Sequence, residues 1–291
     1  MKILVTGGAG FIASHIVDAY LAAGHEVVVI DRSKKNLNHK VKFYDMSIED
    51  KELEKVFEQE QPDMVNHHAA QTAVGESVTN PHATLHCNVT GTINILENCR
   101  KHGVKKIIFS SSAAIYGDQK ELPIKEDAAK NMLSPYGVSK YGAELYLRCY
   151  QKLYGLSFVI FRYSNVYGPR QQNGVIATWT EKLQLGKPCR IFGDGKQTRD
   201  FVHVKDVVAA NVLALEKGEA CVVNISSQTE VSMEALFEMM KKIHGSGELL
   251  KQDSREGEIL KSSLDNSLAK KELGWVPKVE LEQGLQELLV P

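Results

Sequence analysis

The chain has 291 residues, more than one domain usually needs, so a single large domain or a large and a small one together is expected. Apolar residues make up 43% and charged residues 24% of it, a globular balance that excludes disordered, fibrous and membrane classes. Thirty-five basic against thirty-six acidic residues leave a formal charge of −1, so no overall field draws nucleic acid or anionic lipid, and any anion site must be local.

Met1 leads straight into a strand-like stretch and no apolar run reaches spanning length, so neither a signal peptide nor a membrane helix is expected. The cysteines, Cys87, Cys99, Cys149, Cys189 and Cys221, are odd in number and far apart, with no metal-type pairing or disulfide framework. A reducing compartment, the cytoplasm, fits that pattern. Short β-branched runs at 3–6, 26–30, 41–44, 64–67, 106–110 and 158–162 predict strands. Amphipathic stretches at 11–23, 51–59, 81–102 and 135–154 predict the helices between them. This alternation predicts an α/β fold, a Rossmann-type doubly wound parallel sheet with right-handed crossovers. After Gly168-Pro169 the rhythm loosens into a helix-like stretch at 175–186, a Phe192-Gly193-Asp194-Gly195 turn and a mixed tail. The reading is a Rossmann domain at 1–168 and a smaller mixed α/β C-terminal substrate domain at 169–291, with a segment near 204–217 packing back on the sheet.

Thr6-Gly7-Gly8-Ala9-Gly10-Phe11-Ile12-Ala13 directly follows the first strand and opens the first helix, so Gly8, Gly10 and Ala13 satisfy the G-x-G-x-x-G/A fingerprint in its required place. The glycines let backbone approach a pyrophosphate, and the helix N-terminus offers free N–H groups. Asp31, at the end of the second strand, is placed to accept from the adenosine ribose hydroxyls, which favours NAD over NADP. Arg32 beside it could greet a phosphate instead. Asp45 and Met46, closing the third strand, fall where an adenine edge would lie, although Asp45 could equally cap a helix. His68, Ala69 and Ala70, just past the fourth strand, are assigned to the cofactor as well. His67 and His68 do not make a metal pair, because neighbours on a strand point to opposite faces.

In Ser134-Pro135-Tyr136-Gly137-Val138-Ser139-Lys140, Tyr136 and Lys140 stand at i and i+4 near a helix start and project from one face. A phenol is a poor base at neutral pH, and lowering its pKa by about 3 units needs about 4 kcal/mol of differential stabilisation. The Lys140 ammonium together with an oxidised nicotinamide ring would supply it. Tyr-x-x-x-Lys alone marks many solvated helix faces. Here it is joined by Phe109-Ser110-Ser111-Ser112-Ala113-Ala114, hydroxyls at the carboxyl end of the fifth strand, the edge where such sheets bind ligands. Ser112, read as standing further out on the loop, is chosen to hold the reacting oxygen. Ser110 is placed with the cofactor, while loop capping is an equal reading of Ser110 and Ser111.

Together these segments, with 74–78, 88–92, Arg162-Tyr163-Ser164-Asn165-Val166-Tyr167-Gly168-Pro169-Arg170 and 197–206, resemble the extended short-chain dehydrogenase/reductase family over nearly the whole chain. Within it, the resemblance is to nucleotide-sugar 4-epimerases of the UDP-glucose 4-epimerase type. It implies that Tyr136 takes the 4-hydroxyl proton, Lys140 holds the nicotinamide ribose and Ser112 steadies the 4-oxygen. It places Asn88 and Tyr163 at the nicotinamide end, with Gly7, Phe11 and Ile12 along the dinucleotide. Asn165, Arg199 and Arg255 would hold the substrate diphosphate, and Val175, Ile176 and Phe192 would form the uracil slot. Arg199 could instead pair with Asp200 or Asp206. Ser262 lies where relatives carry a larger aromatic, which would admit N-acetylated hexoses.

The implied reaction is inversion at C4 of a UDP-hexose through a transient 4-keto sugar, in a homodimer seamed by the helices at 81–102 and 135–154. A nucleotide-sugar dehydrogenase or reductase, a 4,6-dehydratase and a non-catalytic cofactor-sensing protein are the competing readings. Ala113 and Ala114 follow Ser112 where dehydratases carry acidic residues, which speaks for the epimerase.

Overall fold

The computed structural model describes residues 1–253 and 259–290. Strands β1 (Lys2–Thr6), β2 (Glu26–Asp31), β3 (Lys42–Asp45), β4 (Met64–His67), β5 (Lys106–Ser112) and β6 (Ser157–Tyr163) lie parallel in one sheet. Four short strands stand outside it, β7 (Asn165–Tyr167), β8 (Cys189–Phe192), β9 (Thr198–Arg199) and β10 (Phe201–His203), before β11 (Cys221–Ile225) returns to its edge. The sheet order is β11-β6-β5-β4-β1-β2-β3. β7 pairs with β10, while β9 and β8 pair with β12 (Val231–Ser232) and β13 (Leu249–Gln252).

Period-two alternation sends successive strand residues to opposite faces, and both faces are covered. Ile3, Val5, Val159 and Val223 meet helices α1 (Phe11–Ala22), α8 (Val204–Leu213) and α10 (Ser267–Leu273), through Ile16, Val17, Val207, Ala210 and Leu273. On the other face Leu4, Val28, Ile107, Phe158 and Ile160 meet α2 (Leu53–Glu60), α5 (Gly91–Lys101) and α6 (Pro135–Tyr154), through Phe57, Leu96, Ala143 and Leu147. Each such aliphatic side chain contributes about 1.5–3 kcal/mol on burial. A third core joins α7 (Val175–Gln184), α9 (Met233–His244) and α11 (Leu281–Leu289) to β8, around Trp179, Ile191, Phe237 and Leu285. Among the described residues no helix is long and apolar enough to cross a membrane.

The helix expected at 81–102 runs unbroken from Pro81 to Lys101, but with a π segment inside it. Short α3 (Val74–Thr79) and α4 (Pro81–Leu85) precede a π turn at His86–Thr90, and α5 follows it. Within that wide turn Asn88 is buried and bonded to the loop before α3. β11 is an unexpected seventh strand: its five residues follow α8 after a long excursion through β7 to β10. β5 runs through Ser112, which is therefore a strand residue and not part of an outlying loop.

Candidate active site at the carboxyl edge of the sheet

The chain leaves β1 for β2 on one side and returns to β4 on the other, so a crevice opens at this topological switch point, beyond the strand ends. It widens into a cleft of about 690 Å³. Gly7, Gly10, Phe11, Ile12, Asp31, Arg32, Met46, His68, Ala69, Ala70, Ser110, Ser112, Tyr136, Lys140, Tyr163, Asn165, Val175 and Ile176 all line it.

Gly7 has φ +69°, and a Cβ there would fall 2.7 Å from the Ala69 nitrogen, where the turns after β1 and β4 cross. Gly10 donates its N–H to the Gly7 carbonyl at 2.9 Å and opens α1, leaving a bare cradle at a helix N-terminus. Gly8 stands off the cleft wall. A Cβ on it would meet Val29 at 2.7 Å, so its smallness serves packing on β2. Asp31 accepts from Ala9 N at 2.9 Å and Ser33 N at 3.0 Å while still facing the cleft, so this carboxylate ties the cradle to the loop after β2. This arrangement fits a dinucleotide. Asp45 pairs with Asp31 in register but is exposed and off the cleft wall; its neighbour Met46 lines the cleft.

His67 and His68 diverge. The His67 ring bridges Thr6 Oγ1 at 2.6 Å and Thr92 Oγ1 at 3.0 Å. Because the Thr92 hydroxyl donates to the Asn88 carbonyl at 2.6 Å, His67 carries its proton on Nε2 and accepts from Thr6 on Nδ1. His68 stacks on Tyr163, with Nε2 3.3 Å from the phenol oxygen. Burial holds both rings neutral, His67 well below the ordinary imidazole range and His68 pushed down to about 3. Asn88 stands behind the cleft, its amide bonding both main-chain groups of Gln71 and donating to Ser139 Oγ at 2.9 Å. It props the wall that Ala70 and Thr72 present. Neighbouring Cys87 reaches the cleft, as do Ser33, Asn36, Ile48 and residues 170–174. The sequence carried no signal for these; the π turn delivers Cys87, the loop after β7 delivers 170–174, and the loops after β2 and β3 deliver Ser33, Asn36 and Ile48.

At the catalytic end, Ser134 caps α6 by accepting from Gly137 N at 3.2 Å, and Pro135 begins the helix. Tyr136 and Ser112 both line the cleft, close enough for the Ser112 hydroxyl to favour the ionised phenol. Lys140 is almost fully buried, donates to the Ser110 carbonyl at 2.7 Å and lies 4.9 Å over the Phe109 ring. Burial pushes its ammonium down to about 8, against the opposing pull of Cys87 and Glu144. For Tyr136, burial raises the phenol above its ordinary value, and the Ser112 hydroxyl works the other way. The protein without ligands therefore holds Tyr136 as a neutral phenol, in contrast to the lowering expected from the sequence.

The substrate side is more dispersed. Asn165, on β7, bonds the Asp200 carbonyl at 3.2 Å and reaches the cleft, beside Val175 and Ile176 of α7. Phe192, Arg199 and Ser262 stand back from the cleft wall, around β8 and β9. Arg199 donates to the Thr198 carbonyl at 2.8 Å and the Ile259 carbonyl at 2.7 Å. Asp200 accepts from the main chain of Ser227, Gln228 and Leu264, and Asp206 from that of Lys278 and Val279. Both carboxylates thereby staple distant loops. Arg255 lies outside the described residues.

The model of the NAD dependent epimerase/dehydratase family matches residues 3–226. The chain belongs to that family. Among its members, the UDP-glucose 4-epimerase of Mycolicibacterium smegmatis is 37% identical over 302 residues, 98% of this chain and 96% of the relative. The crystal structure of UDP-glucose 4-epimerase from Thermotoga maritima with UDP-glucose matches at a TM-score of 0.97 and 44% identity, covering 99% of this chain and 97% of that one. UDP-glucose 4-epimerase of Thermus thermophilus, in complex with NAD, matches at a TM-score of 0.95 and 36% identity, covering 99% and 98%. The family fold is the doubly wound parallel sheet described above.

Proposed function

We propose that this chain is an NAD-dependent 4-epimerase of UDP-hexoses, interconverting UDP-glucose and UDP-galactose. The observation that carries the reading is the meeting of Ser112, Tyr136 and Lys140 at the end of a dinucleotide-shaped crevice, with Ala113 and Ala114 next to them. NAD, when bound, supplies a reversible hydride acceptor, so that the net redox change is zero. Tyr136 accepts the proton of the substrate 4-hydroxyl and later returns it. Ser112 Oγ steadies the 4-oxygen. Lys140, with one N–H fixed on the Ser110 carbonyl, keeps its others for the nicotinamide ribose. Gly7, Gly10, Phe11 and Ile12 cradle the pyrophosphate, Asp31 and Arg32 face the adenosine ribose, Met46 lies by the adenine, and His68, Ala69, Ala70, Ser110 and Tyr163 wall the nicotinamide side.

Asn165, Arg199 and Arg255 anchor the diphosphate, where forked guanidinium donors suit a dianion. Val175, Ile176 and Phe192 hold the uracil. The transient 4-keto sugar would turn about that anchor, the hydride would return to C4 on the opposite face, and Tyr136 would give its proton back to the 4-oxygen. The division is residues 1–168 for cofactor and 169–291 mainly for substrate, with 204–217 serving the first. Ser262, small and buried, leaves room for a 2-acetamido group. Ser262→Tyr is expected to lower the rate on UDP-N-acetylgalactosamine relative to UDP-galactose, and unchanged selectivity would remove this role.

Homodimerisation is supported by an apolar stripe on α6: Val138, Leu145, Cys149 and Leu153 recur at helical spacing and are exposed, near exposed Leu85 of α4. The proposed location is the cytoplasm, in keeping with five free cysteines. The deciding test is interconversion of UDP-glucose and UDP-galactose by purified protein without added cofactor. No turnover on any UDP-hexose with NAD bound sinks the proposal. Stoichiometric NADH release would favour a dehydrogenase instead.

A further inference from the structure

Three consecutive turns of α6 engage three consecutive serines of β5. Tyr136 stands beside Ser112, Lys140 donates to the carbonyl of Ser110, and Glu144, one turn further, accepts from Ser111 Oγ at 2.5 Å. The first two contacts belong to the reaction proposed above; in the third, Ser111 borders the cleft but Glu144 stands off its wall. Glu144 is fully buried, and so is the guanidinium of Arg162 that grips it, Nε at 3.0 Å on one oxygen and Nη2 at 2.7 Å on the other. Arg162 is the register partner of Ser111 on β6, so the pair projects from the sheet face that α6 covers. Its remaining head group donates to Tyr116 Oη at 2.9 Å and to the Glu126 carbonyl at 2.7 Å.

A buried ion pair is a poor way to gain stability, since desolvation of both charges offsets most of their attraction and apolar side chains of the same volume do as well. It differs from an apolar contact in direction. Leu against Met tolerates sliding; a forked guanidinium on a carboxylate, with a hydroxyl on the same oxygen, fixes one geometry. We infer that Ser111, Glu144 and Arg162 are positioning residues for the epimerase reaction: they lock the rotation and register of α6 on β5 so that Tyr136 and Lys140 meet Ser112. The proximity of Glu144 also opposes the loss of the Lys140 proton.

The inference rests on the epimerase reading, and the test separates the two. Wild-type protein, Ser111→Ala, Ser111→Thr and the apolar double variant Glu144→Leu/Arg162→Met are compared for kcat and KM on UDP-galactose, for NAD retained on gel filtration and for thermal midpoint. The double variant is expected to keep its midpoint within about 5 °C and its NAD, with KM little changed, while kcat falls by about 100-fold through misplacement of the reacting groups. Ser111→Ala loses about tenfold in kcat, and Ser111→Thr, which keeps the hydroxyl, restores most of it. A double variant that turns over within about threefold of wild type overturns the positioning role, because activity would then follow packing alone. Should the double variant fail to fold, Ser111→Ala decides, and wild-type kcat in that protein overturns it too. An inactive wild type with NAD bound would instead overturn the epimerase reading.

Discussion

Lys140 gives a hydrogen of its ammonium to the Ser110 carbonyl at 2.7 Å in a place that strips it of nearly all water. Burial lowers its proton affinity to about 8 from an ordinary 10.5, so between those values the unfolded chain holds a proton that the folded one gives up. Stability from this group therefore rises with pH across that window, by up to about 3 kcal/mol in total. Lys140→Met should stabilise the cofactor-free protein at pH 7 by about 1–3 kcal/mol, less the lost Ser110 bond, and show no such rise. Urea unfolding at pH 7, 8.5 and 10 measures both, and the same variant is expected to lose about 100-fold or more in turnover.

Tyr136→Phe removes only a hydroxyl, beside Ser112 at the cleft. Turnover should fall by about 10²–10⁴-fold with NAD content unchanged. Absorbance of the purified variant and progress curves on UDP-galactose check this. Loss of NAD together with activity would assign the hydroxyl to cofactor binding.

His67 and His68 carry part of the acid sensitivity, alongside His15 and His203, which burial also lowers. His67 and His68 are both held neutral by burial, so below about 6.5 the unfolded chain takes up protons that the folded chain refuses, and stability falls as pH falls. Each contributes a slope of about 1.4 kcal/mol per pH unit through that range. Denaturation at pH 7, 6 and 5 should show a shallower slope in His68→Phe than in wild type, with the two converging near neutrality.

Gly7→Ala places a Cβ against the Ala69 main chain in a left-handed backbone. The conformational penalty alone is about 1–2 kcal/mol. The crossing of the β1 and β4 turns must also widen, so NAD affinity should fall by at least about tenfold, as read by equilibrium dialysis. Gly24→Ala, also at positive φ but with open space around it, should cost stability without touching NAD affinity.

The six leading strands and α1, α2 and α6 were legible because each spans several residues of clear period and their connections are short. The glycine fingerprint, Asp31, Tyr136 and Lys140 were legible because their chemistry is local to one turn. Asn88 shows the limit. Its type suggested a wall residue, but its partners Gln71 and Ser139 lie 17 and 51 positions away, and only the π turn brings them together. β9 and β12, two residues each, are too short to alternate at all. Gly8 read as a cradle residue because spacing cannot say which glycine faces Val29 and which the cleft.

β11 completes the sheet only after the chain has built β7 to β10, α7 and α8, and α10 returns later still to cover the same face. A gene cut after residue 168 would encode β6 without its neighbour, α1 without α8, and a bare face at Val159 and Phe161. The two halves are thus sequentially interlaced, and the natural unit for expression, for permutation or for a fusion partner is the entire chain.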